Sequence, residues 1–261
     1  MFFLHGADDT ERITPVTERF FPFANALLNS PYPMTGERIS EMKQKKYLIA
    51  GVYLLTGFVI LTAMLRYVDV RCVGPNGAKI GFAALNVWFH DLTGVHMALY
   101  TITDWLGLIP IFVCLCFGVV GMVQWIRRRS IVRVDIDIIL LGVYYVLIIL
   151  GYLAFEMIPI NYRPILIDGA LEASYPSSTT LLVLGVMPTL ELQVRRRVKS
   201  SLVRKSLTVF TSLFTSFAVL GRLLSGVHWL TDIVGAVLLA GGLFMLYAHA
   251  VQEEENGRGV S

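Results

Sequence analysis

The chain has 261 residues, of which 55% are hydrophobic and only 16% charged, with a mean hydropathy of +0.64. Soluble domains average about 25% charged residues, so the composition argues against a soluble globular domain. Three Cys and ten Pro exclude a disulfide scaffold, a collagen and a Pro-rich disordered chain. The net charge of +3 is small, and no basic stripe interleaved with aromatics points to nucleic acid.

Residues 1–46 read as a mixed N-terminal segment, where Asp8, Asp9, Glu11, Arg12, Glu18 and Arg19 interrupt Phe20, Phe21 and Phe23. Met1–Leu4 is too short for the apolar core of a signal peptide. The first apolar run long enough to cross a membrane is Tyr47–Leu65. A second runs from about Trp105 to Ile126, with Pro110 near one end, and a third from Ile136 to Ile158. The fourth, Thr179–Val194, is short and carries Pro188 and Glu191; the fifth covers Ser206–Leu220 and the sixth Trp229–Ala250. The expectation is an all-α, six-transmembrane-helix bundle over residues 47–250, followed by a tail at 251–261. Cys114 and Cys116 lie within the second run and Cys72 stands alone, a pattern that is neither a zinc spacing nor an evident disulfide pair.

Basic residues near span ends set orientation. With the six spans above, 17 of the 22 Lys and Arg fall on one side, clustered at Lys43–Lys46, Arg127–Arg133 and Arg195–Lys205. Arg66, Arg71, Lys79, Arg163 and Arg222 fall on the other. Both termini are therefore expected in the cytoplasm of a plasma-membrane protein. The same basic clusters also admit a reading as sites for anionic lipid or nucleic acid, but topology signals are far commoner in such loops. In the long outer connection, Phe82, Leu85, Phe89 and Leu92 recur at helical spacing beside Asn86, His90 and Asp91, as in a helix lying at an interface. Nothing pairs His90 and His96 at metal-ligand spacing.

Three outer segments carry the chemistry. Arg163-Pro164 follows the third span, Pro176-Ser177-Ser178-Thr179 opens the fourth, and Arg222, His228 and Asp232 follow the fifth. Two guanidinium groups grip a tetrahedral oxyanion through paired hydrogen bonds, and a helix start at Ser177 offers free N–H groups to an anion. His228 and Asp232, four residues apart, share a helix face, so the carboxylate can accept a proton from one ring nitrogen and leave the other free to attack. Taken singly, each arginine also fits an interfacial anchor. Taken together, the residues point to a metal-free, cofactor-free phosphoryl-transfer site on the outer face.

The order Arg-Pro, then Pro-Ser-Ser, then Arg-x5-His-x3-Asp resembles the type-2 phosphatidic acid phosphatase family, relatives of the vanadium haloperoxidases. The resemblance covers residues 156–232 by motif and implies that His228 is a nucleophile forming a phosphohistidine. It further implies that Asp232 orients His228, and that Arg163, Arg222, Ser177 and the backbone at Ser178 hold the phosphoryl oxygens. The implied substrates and partners are lipid phosphates or diphosphates, such as polyprenyl diphosphate or phosphatidic-acid-like lipids, within a membrane; oligomeric state is left open. Two positions depart from the family pattern. Glu156 stands where the family has Lys, and is expected to turn aside or pair with an arginine. Thr179 stands where the family has the His that protonates a departing alkoxide. The alternative is therefore a catalytically impaired member that binds or translocates a lipid phosphate.

Overall fold

The computed structural model describes residues 36–259, with side chains described at residue 42 and over residues 44–254. Residues 1–35 and the charge readings on Arg12, Arg19, Arg38, Lys43 and Arg258 lie outside that description. The chain divides at Glu41/Met42 into two units, and everything below concerns the second, apart from the first residues of the helix that begins at Gly36.

The apolar runs form helices. Helix α1 spans Gly36–Met64, α2 Ala83–Thr93, α3 Met97–Leu106, α4 Leu108–Arg128, α5 Ile136–Met157, α6 Ser178–Arg197, α7 Ser201–Leu224 and α8 Leu230–Gly259. Two residue pairs, β1 at Arg71–Cys72 and β2 at Lys79–Ile80, close a small antiparallel hairpin between α1 and α2. Helix α2 occupies the patterned stretch after Phe82. It buries Asn86, which donates to the Gly81 carbonyl and to the Thr231 hydroxyl and so ties α2 to α8, and it leaves Leu85, Trp88 and Leu92 exposed.

Among the described residues, five segments are long and apolar enough to span a bilayer: Gln44–Met64, Met97–Arg128, Ile136–Met157, Ser201–Leu224 and Leu230–Glu254. The expected count of six is not reached on that criterion, because α6 forms but is too polar. Its surroundings explain the composition. Helix α6 packs against α4, α5, α7 and α8, with Leu181, Val183, Val186 and Met187 fully enclosed. Its polar groups meet protein partners: Tyr145 bonds Thr189, and Gln193 donates to the Tyr247 hydroxyl. A helix walled by other helices needs no lipid-facing apolar surface, and satisfied polar groups are tolerated there.

The second apolar run begins earlier than its hydrophobicity suggests. Helices α3 and α4 form one 32-residue stretch, joined at Gly107, which keeps helical torsions. Helix α3 approaches α7 closely at Gly221, where a Cβ would sit 2.7 Å from the Thr103 methyl. Beyond α7, Gly226 has φ +71°, and a Cβ there would fall 2.0 Å from the Gly94 carbonyl oxygen. These two glycines let the α2–α3 corner press on the loop between α7 and α8.

Candidate active site

Asp232 sits at the third position of α8 and accepts a hydrogen bond at 2.9 Å from the amide of Trp229, immediately before the helix. This is half of a capping box, and it holds the carboxylate at the helix start. The same oxygen, Oδ2, faces Nδ1 of His228 at 3.5 Å. Ser174 and Asn161 stand beside the carboxylate as well. The His228 ring is buried, and neither of its nitrogens has a hydrogen-bond partner among the described residues. Catalytic pairs are often this long without substrate and tighten when it binds. Burial, and then the positive charges of Arg163 and Arg222, hold the imidazole well below its usual pKa range. The ring is therefore neutral at physiological pH, the form a nucleophile needs.

Both arginines lie in this environment. Arg163 follows α5 in a loop folded back on itself, its amide donating to the Glu172 carbonyl at 3.0 Å, and its side chain meeting the Glu172 carboxylate at 3.0 Å. Arg222, in the last turn of α7, is almost wholly enclosed. It donates to Asp104 at 3.0 Å and to the Tyr100 carbonyl at 3.3 Å. The two guanidinium groups flank one aromatic ring, lying 4.6 Å (Arg222) and 5.8 Å (Arg163) from the centroid of Tyr100. Cation–π contact of this kind counts for more where water is excluded.

A cavity of about 280 Å³ opens onto His228, walled by Arg163, Glu172, Tyr152, Glu156 and Ser178. The structure thus brings Arg163, Ser178 and His228 to one space, while Arg222 and Asp232 do not line it; Asp232 lies behind His228, and Arg222 stands over the Tyr100 ring at 4.6 Å. Ser177 is fully buried; its amide donates to the Asp232 carbonyl and its hydroxyl to Thr180. Glu156 neither turns away nor pairs. It lies on the cavity wall, exposed and without an ion pair among the described residues, because it shares a face of α5 with Tyr152 and Glu172 already meets Arg163. Thr179 is buried with its methyl against Gly107, at the α3–α4 joint. Among the described residues, no group of three or more His, Cys, Asp or Glu is placed to hold a metal ion.

Tyr100, Asp104, Asn161, Glu172 and Ser174 escape a reading of the sequence, since each joins the site through a contact that no local spacing encodes. The nearest to a signal is Glu172, nine residues after Arg163 in a segment whose ends pair as a bridge between Tyr162 and Ala173.

Residues 136–256 match the model of the PAP2 superfamily, so the resemblance read from the motifs holds over the segment that carries Arg163, Ser177, Arg222, His228 and Asp232. The fold is that of an integral membrane protein, and the match to the PAP2 superfamily model covers its residues 136–256. The structure is similar to the crystal structure of the first transmembrane PAP2 type phosphatidylglycerolphosphate phosphatase from Bacillus subtilis. The TM-score is 0.57 at 16% identity, covering 78% of this chain and 96% of that one. No curated protein matches the sequence.

Proposed function

We propose that the protein is a metal-independent lipid phosphate or diphosphate phosphatase that works through a phosphohistidine on His228. The observation that carries this reading is a buried imidazole whose Nδ1 lies 3.5 Å from Asp232 and which lines one cavity with Arg163. His228 attacks phosphorus through Nε2 as Asp232 closes on its Nδ1–H; the P–O bond to the lipid breaks and the leaving group departs with its electron pair. Water then attacks the phosphohistidine, releasing inorganic phosphate and restoring the ring. Arg163 and Arg222 offset the charge that gathers on the phosphoryl oxygens, and the start of α6 at Ser178 adds backbone donors. Helix α6, 20 residues long, reaches about 30 Å, enough to cross a bilayer inside the bundle. The site then faces the extracytoplasmic side, with both termini in the cytoplasm. Diphosphate lipids, polyprenyl diphosphates among them, suit the site best, because a phosphate leaving group needs no acid at Thr179.

A specific observation favours a second reading. Each arginine already meets an acid of the chain, Glu172 or Asp104, as in a member that binds or translocates a lipid phosphate without cleaving it. Phosphate release by purified protein from a panel of lipid mono- and diphosphates separates the two. Release supports the phosphatase, while saturable binding without release supports the carrier.

A further inference from the structure

Away from this site, the α4–α5 hairpin encloses an apolar groove of about 690 Å³, within the size range of small-molecule sites. Its floor is open at Gly118 and Gly142, where a Cβ would meet nothing within 4 Å. Along α4 it runs from Cys114 to Trp125, eleven residue steps or about 16 Å of helix. That is close to half of a hydrocarbon core of about 30 Å, so the groove is one leaflet deep. It ends at the α4–α5 turn, where Trp125, Ile131 and Val134 form its rim.

The turn is rigid and basic. Arg128 binds Asp135 at 2.7 Å and the Arg133 carbonyl, and Gln124 exchanges hydrogen bonds with the side chain and amide of Asp135. Arg127, Arg129 and Arg133 are exposed, without an ion pair among the described residues. We propose that the groove binds the acyl chain of an anionic membrane phospholipid, whose headgroup is held by Arg127, Arg129 and Arg133. Arginines near a membrane surface attract anionic lipid, each adding to the preference. A second copy of the chain fits the groove less well. A two-fold axis along the membrane normal would bring the two arginine clusters together in one leaflet.

The test incubates the full-length protein in detergent with dioleoylphosphatidylserine or dioleoylphosphatidylcholine and counts retained lipid by mass spectrometry. The wild type is expected to prefer the anionic lipid by about tenfold, a screened fraction of what three arginines supply. The triple variant Arg127→Gln, Arg129→Gln, Arg133→Gln should lose that preference yet still retain phosphatidylcholine, whereas Gly142→Leu should retain less of both. Equal retention of the two lipids by the wild type, or an undiminished preference in the triple variant, overturns the proposal. A concentration-dependent dimer abolished by Gly142→Leu assigns the groove to a second copy and overturns it too. The substituted arginines are exposed, so the triple variant decides the matter even where Gly142→Leu fails to fold.

Discussion

Nε of Arg163 lies 3.0 Å from Oε2 of Glu172, so a carboxylate of the chain already stands against the guanidinium that lines the cavity. Phosphate must displace or share that partner. Glu172→Gln keeps the shape and removes the competing charge, so inorganic phosphate should inhibit more strongly, by about three- to tenfold in Ki, the range of one ion pair of about 1 kcal/mol whose acid is solvent-exposed. Product-inhibition kinetics on the two proteins measure this; an unchanged Ki would mean that Arg163 and Glu172 do not separate when phosphate binds.

His228→Ala should abolish phosphate release, since it removes the attacking atom. Asp232→Asn should leave a residue, reduced by about two to four orders of magnitude, because it misorients the ring without deleting it. Single-turnover assays quenched in alkaline detergent, with loss of the label on acid treatment as the mark of a phosphohistidine, give the readout. Normal release from His228→Ala would exclude the phosphohistidine.

Arg163→Lys and Arg222→Lys retain charge but lose the fork that binds two oxygens together. Each is expected to lower turnover by at least about tenfold, with Arg222→Lys the more severe, because that side chain is the more enclosed and also holds Tyr100 and Asp104. Full activity in both variants would make these residues membrane anchors.

The acidity of the site follows from His228. Its pKa is depressed by burial and then by Arg163 and Arg222, so the neutral nucleophile persists below the ordinary imidazole value of about 6.5. As pH falls, kcat/KM for a diphosphate lipid should stay level through that value and decline only below it. Arg163→Gln removes one charge that disfavours the imidazolium. The pKa then rises, and the acidic limb should move to higher pH even as the rate drops. An acidic limb that stays put would assign it to another group.

Diphosphate lipids should be cleaved faster than monophosphate lipids, because no side chain able to donate a proton stands at Thr179. His90 does not take its place. It packs against Trp229 at 5.6 Å, outside the cavity wall that carries His228. Thr179→His should raise monoester turnover relative to diphosphate turnover, by about one order of magnitude or more, within the usual range of general acid catalysis. The rate ratio in both proteins is the measurement, and an unchanged ratio would remove the missing-acid explanation. Sidedness is tested separately: Asp168→Cys, on the exposed turn that follows Arg163, should label from the extracytoplasmic side.

The sequence by itself determined the helical, membrane-embedded character, the apolar stretch at the heart of each long helix and the residues of the motif, because these depend on local quantities. A run of apolar residues must satisfy its backbone internally wherever it lies, and the four-residue step from His228 to Asp232 sets its own face. Tertiary structure alone decided three further things. It put a polar helix, α6, at the centre, where neighbours replace lipid. It brought Tyr100 and Asp104 of α3 onto Arg222, through an approach that Gly221 permits. And it left Glu156 on the cavity wall while Glu172 took Arg163. Each of these is a contact between segments distant in the chain, and the energy of such a contact depends on which surfaces meet and how far water is excluded, which no spacing along the chain records.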